Sequence, residues 1–113
     1  MTSEGRPYAR FRRALEVRSV MGAETAAREM GRLGLLDAID LWALMAIDAP
    51  NRYPRAARRL LVRLVTEREA LTLDDAELAI ACLRGLPGRD GDRLADVLRV
   101  LAGGRQGRNG LWR

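Results

Sequence analysis

Histidine and lysine are both missing from this chain of 113 residues, cysteine occurs once, and aromatic residues make up only 4%. Each scarcity excludes something. Without histidine there is no imidazole to serve as base beside a serine or cysteine, and no imidazole-ligated metal. The single cysteine, Cys82, rules out an intramolecular disulfide. Its neighbours Ile80, Ala81 and Leu83 make it read as a small buried hydrophobe. With few aromatics, aliphatic side chains and alanine must fill the core. The longest apolar run, Leu41 to Ile47, falls far short of the ~20 residues of a membrane span. The first five residues lack the apolar core of a signal peptide. A cytoplasmic location is the expectation by elimination.

The missing lysine also conditions the charge. The net charge is +5, and every basic side chain is arginine. Uniform arginine is what GC-rich codon usage produces, so it is not by itself a sign of selection for phosphate, although arginine grips phosphate well. The charge is uneven along the chain: +3 over residues 1–22, −3 over 23–50, +4 over 51–69, −2 over 70–102 and +3 over 103–113.

What the chain does have is helical periodicity, and no segment reads as a strand. Apolar spacing predicts helices over about Pro7 to Met21 (stopped by Gly22), Ala23 to Gly31, Leu35 to Ile47, Arg52 to Glu69, Thr72 to Leu86 and Asp92 to Ala102. The third is apolar on more than one face (Leu41, Trp42, Leu44, Met45, Ile47), the signature of a central helix. The fourth is two-faced. Tyr53, Ala57, Leu60, Leu61, Leu64 and Val65 lie on one side, and Arg52, Arg55, Arg59 and Arg63 form a stripe on the other. Asp48 or Asn51 is a candidate cap for it, and Thr72 is a good N-cap for the fifth. The last helix should bury Leu94, Val97, Leu98 and Leu101. The fold expected is all-α, a compact bundle of five or six helices in one domain over residues 1–104. The Gly/Arg-rich segment 105–113 reads as a flexible tail.

A weak repeat at a spacing of 38 residues aligns Leu33-Gly34-Leu35-Leu36-Asp37-Ala38 with Leu71-Thr72-Leu73-Asp74-Asp75-Ala76. Two related hairpins would explain it. So would a common way of starting helices in an alanine- and leucine-rich chain. The stretch Arg52-Tyr53-Pro54-Arg55-Ala56-Ala57-Arg58, continued by Leu71 to Ala76, resembles small helical proteins of unknown function from high-GC actinobacteria. The resemblance covers about half the chain and implies a helical fold, with no activity attached.

Chemistry has few footholds. No cofactor or metal site is expected, and no catalytic residue stands out. The segment Gly85 to Asp92 lacks the alternating oxygen ligands of a calcium loop and reads as a turn. The pairs Asp37/Asp40 and Asp74/Glu77 have acid–base spacing, but acidic residues in a first turn usually serve the helix dipole. A helix-turn-helix placed by Ala27 and Gly31 would present Asp37 and Asp40 to phosphates, which is repulsive. Two functional expectations remain. The first is a non-enzymatic interaction or adaptor module that binds a protein partner or a second copy, with Leu111 and Trp112 as candidate contacts. An exposed Trp42 or Met45 would mark a partner site. The second is a nucleic-acid-binding accessory protein using Arg10, Arg13, Arg52, Arg55, Arg59 and Arg63. That reading requires the first and fourth helices to lie side by side. Arginine and tryptophan in the tail also suit single-stranded nucleic acid.

Overall fold

The computed structural model describes residues 6–103, and every regular element among them is helical. The helices are α1 Pro7–Glu16, α2 Val20–Met30, α3 Leu35–Asp48, α4 Tyr53–Glu67, α5 Leu73–Gly85 and α6 Gly91–Leu101. They pair as three successive hairpins, α1–α2, α3–α4 and α5–α6. Helix α3 touches α1, α2, α4 and α6. Its residues Ala38, Ile39, Leu41, Leu44, Met45 and Ala46 are all buried, as its all-round hydrophobicity requires.

The first connection differs from the expected one. Helix α1 stops at Glu16 rather than Met21, and Gly22 lies inside the first turn of α2. The chain closes α1 with a Schellman turn: the Ser19 amide donates to the Ala14 carbonyl at 2.8 Å and the Arg18 amide to Leu15 at 3.1 Å. Arg18 occupies the left-handed position usually given to glycine, at φ 59°, and its guanidinium holds Asp48 at 2.8 Å. Ser19 then caps α2, its Oγ accepting from the Gly22 amide at 3.0 Å. A Cβ on Gly22 would lie 2.9 Å from that Oγ and 3.4 Å from the Ala14 Cβ. The glycine therefore permits close approach of α2 to α1 and does not end a helix.

The other boundaries agree to within about two residues, the usual uncertainty of helix ends. Thr72 caps α5 as expected, in a reciprocal box. Its Oγ1 accepts from the Asp75 amide at 3.0 Å, and the Asp75 carboxylate accepts from the Thr72 amide at 3.1 Å. Neither Asp48 nor Asn51 caps α4, whose N-cap is Arg52 with no side-chain capping bond. Gly85 to Asp92 forms successive turns, the Gly88 amide bonding Gly85 O and the Gly91 amide Gly88 O. A Cβ on Gly91 would stand 2.5 Å from the Leu86 carbonyl oxygen, which fixes glycine there.

The two repeat segments do occupy matching places, each leading into the first helix of a hairpin, with Leu33 and Leu71 both packed on the core. Their contacts diverge, since Asp75 serves a cap and Asp37 serves an ion network described below. Helix α4 buries Tyr53, Leu60 and Leu64 as expected, but Val65 is 44% exposed. The hydrophobic stripe of α4 is wider than the core beneath it.

Tyr53 fastens α4 to α5. Its side chain is buried and its hydroxyl donates to the Leu83 carbonyl at 2.6 Å. Replacing it with phenylalanine leaves that carbonyl short of a partner inside the protein. Tyr53→Phe is expected to lower unfolding free energy by about 1–2 kcal/mol in urea denaturation. No loss would mean the hydroxyl is not the fastening.

Candidate functional site

The six arginines singled out in the sequence do not form one surface. Helix α1 packs on α2 and α3, and α4 on α3 and α5, so α1 and α4 are not packed side by side. Most of the six are already engaged. Arg10 chelates Glu29 of α2, which draws the Glu29 pKa down through that hydrogen bond. Arg13 also has an interaction of its own. Arg52 pairs with Glu24 of α2. Arg63 binds Glu67 one turn on at 2.8 Å, and Arg32 reaches the same carboxylate at 2.9 Å. Only Arg55 and Arg59 of the six are exposed without an ion pair among the described residues.

The carboxylate pair Asp37/Asp40 is likewise consumed. Arg12 of α1 bonds Asp37 at 3.0 Å and Asp40 at 2.9 Å, and Arg99 of α6 bonds Asp40 at 2.6 Å and Asp96 at 2.6 Å. The Tyr8 hydroxyl adds a 3.3 Å bond to Asp37, and partial desolvation together with that carboxylate raises its pKa. This network ties α1 and α6 to α3. Beside it lies a pocket of about 530 Å³ in which Arg12, Asp40 and Arg99 are already committed to one another. The same geometry removes α3 from any role as a recognition helix, because it is enclosed on several sides and its acids face arginines.

Nor do the buried titratable groups point to a reaction. Burial, and the nearby Cys82, push the Tyr53 hydroxyl pKa far up, and burial raises that of the Cys82 thiol. Both stay protonated at neutral pH, and Tyr53 faces a backbone carbonyl rather than a carboxylate. Among the described residues no cluster of three or more acids and cysteine could hold a metal ion, and no helix is long and apolar enough to cross a membrane. Met45 is buried. Trp42 is half-buried, with its indole N–H donating to the Ala56 carbonyl at 2.7 Å. The condition that would have made α3 a docking surface is therefore not met. Leu111 and Trp112 lie outside the described residues.

Two features remain, both on α4. A polar cleft of about 570 Å³ opens where α4 begins, between Trp42, Glu24 and the arginines 52, 55, 58 and 59. On the other flank, an apolar groove of about 530 Å³ runs between α4 and α5. Tyr53, Pro54, Ala57, Leu61, Ile80, Leu83 and Pro87 line it, with Arg58 and Arg84 at its rim. Arg58 and Arg84 are exposed and have no ion pair among the described residues. The groove's apolar character continues along the hairpin. Val65 follows Ala57 and Leu61 at intervals of four on α4, and Leu73, 84% exposed, shares a face with Ile80 on α5. Helix α4 packs on α3 and α5, and α5 on α4 and α6, so among the described residues the outward seam of this pair carries no covering helix. Sequence reasoning missed Arg58 because it falls beside the apolar face, off the 52–55–59–63 stripe. Its signal was the spacing to Leu61 and Arg84's place just before Pro87.

No family model matches the chain, and no curated protein or solved structure is found to be similar to it.

Glu67 offers a check on the ion pairs that use up the arginines. The Arg63 hydrogen bond, with Arg32 adding to it, lowers its pKa below the ordinary 4.5. A depressed carboxylate stabilises the fold above the unfolded value and stops doing so as pH falls through the folded one. Because the group is near the surface, Glu67→Gln should cost less than about 1 kcal/mol at neutral pH. Denaturation of the variant and the parent should converge in acid, below the depressed value. A difference that persists unchanged there contradicts the pairing.

Proposed function

We propose that this chain is a non-enzymatic interaction module that binds a protein partner across the outward face of the α4–α5 hairpin. The observation that carries this reading is the uncovered apolar groove between Ala57, Leu61 and Ile80, extended by exposed Val65 and Leu73. Contiguous apolar surface left open beside a finished core is what partner sites look like. The paired state of Asp37 and Asp40, the protonated Tyr53 and the missing imidazole support a role in contact rather than catalysis.

A second reading has one specific observation behind it. Arg55, Arg58 and Arg59 gather at the polar cleft without carboxylate partners among the described residues, and such a group can neutralise phosphates in a nucleic-acid accessory protein. Arg10, Arg52 and Arg63 are bound to glutamates, which weakens the wider basic surface that this reading needs.

The two separate cleanly by salt dependence and by variant. Three phosphate contacts give a slope of about −3 in log affinity against log salt. The interaction-module reading expects short DNA and RNA oligonucleotides to show no such slope. It also expects Arg55→Glu/Arg58→Glu/Arg59→Glu to leave their weak retention unchanged. It further expects Leu61→Asp/Ile80→Asp, folded by circular dichroism, to lose a cross-linked partner that the parent retains. A steep slope abolished by the triple reversal, with the Leu61/Ile80 variant unaffected, puts the nucleic-acid reading in its place.

A further inference from the structure

We infer that the occupant of the α4–α5 groove is an acidic amphipathic helix of a partner protein, laid parallel to α4 with its acidic end between Arg58 and Arg84. This rests on the interaction-module reading and adds the chemistry and direction of the partner. The shape comes first. Two packed helices leave a furrow that a third helix fills by setting its side chains between theirs, and the row Ala57, Leu61, Val65 is an i, i+4, i+8 ridge of the kind that interdigitates. Ala57 keeps one end of the ridge low, so a facing backbone can come close.

Charge then selects among occupants. Arg58 and Arg84 stand on opposite walls of the groove, one from each helix, and neither has a carboxylate among the described residues. A second copy of this chain is disfavoured, because a two-fold interface centred on the groove sets furrow against furrow instead of filling it, and with the two grooves parallel it also sets Arg58 and Arg84 against themselves. The chain's own segment 104–113 carries arginines at 105, 108 and 113 and no acid, so it meets the same repulsion. A carboxylate-bearing helix does not. Its apolar side chains fill the groove while its acids take both guanidiniums in charge-assisted bonds.

The hairpin's polarity gives the direction. The groove end at the start of α4 is basic, with Arg58 and Arg84. The other end carries Glu69, Asp74 and Glu77, for which no ion pair occurs among the described residues. Acidic residues favour the first turn of a helix, where they meet its own dipole. A bound helix with acids in that turn therefore starts at the Arg58/Arg84 end and runs toward Leu73.

The test is selection from a displayed library of 16-residue helix-forming peptides against the full chain, followed by fluorescence anisotropy on the enriched sequences. Enriched peptides should carry Leu, Ile, Met or Phe at i, i+4 and i+7, with Asp or Glu in the first turn. Their binding should weaken with salt and fall at least tenfold on Arg58→Glu/Arg84→Glu. Both positions are exposed, so the fold should survive, as circular dichroism will confirm. Peptides remade with lysine in place of the first-turn acids should recover binding to that reversed variant. If apolar peptides without acidic bias are enriched and are lost on Leu61→Asp/Ile80→Asp, the partner chemistry is wrong while the docking groove stands. If enriched peptides ignore both pairs of substitutions, the groove is not the site and the broader reading fails with it. Displacement of the bound peptides by a single-stranded oligonucleotide, lost on the same arginine reversal, would replace the helix with a polyanion.

Discussion

The enclosure of α3 is the constraint on which the rest of the molecule depends. A helix buried on most of its circumference can face four others, and with few aromatic side chains available the core relies on this shared contact. Ile39 on one side of the helix and Leu41 with Met45 on the other are almost wholly removed from water. A large-to-small change at such a position typically costs ~2–5 kcal/mol because the cavity cannot collapse from several directions at once. The same enclosure makes the polar residues of α3 demanding. Asp37 and Asp40 sit at the edge of the packed region, where an unpaired carboxylate would be poorly solvated, and they draw in Arg12 and Arg99.

That demand divides the arginines. Those of α1, α6 and the turns flanking α2 that lie near acids become structural: Arg10 ties α1 to Glu29 within its own hairpin, while Arg18 to Asp48, Arg32 to Glu67 and Arg99 to Asp40 clamp one hairpin to the next. Individually these are near-surface pairs of modest value, but several of them converge on shared carboxylates, where a network does more than separate pairs. Arg55, Arg58 and Arg59 of α4 and Arg84 near the end of α5 are exposed and have no ion pair among the described residues. A basic sequence thus produces a basic surface only in one restricted region.

The helices were legible because each local signal agreed with the global packing. Thr72 with Asp75 three residues later, the all-round apolar α3, and the stripe of α4 all led to the observed elements. The first connection was not legible, since Gly22 resembles a stop and only the approach of α2 to α1 reveals that its missing side chain makes room for a serine cap. Arg18 at a positive φ hid the true end of α1, because arginine gives no sign of a left-handed turn. The candidate groove was half legible. Leu61 and Ala57 belonged to a visible apolar face, but whether that face was covered is a property of hairpin order. Sequence periodicity cannot count how many neighbours a stripe will have.

The excess width of the α4 stripe is what the proposed function rests on. A helix of a monomeric bundle needs only as much apolar arc as its neighbours cover, and α4 has two neighbours, α3 and α5. Its apolar residues run from Leu60 and Leu64, sealed against the core, through half-buried Leu61 and Ala57 to exposed Val65. That gradient leads to the seam shared with Ile80 and Leu73. Isolated exposed residues such as Val17 and Met21 are ordinary on a protein surface. A row aligned on both sides of one groove, with a guanidinium from each wall at one end that has no ion pair among the described residues, has a direction and a charge. Core packing needs neither of these, whereas recognition of another helix uses both.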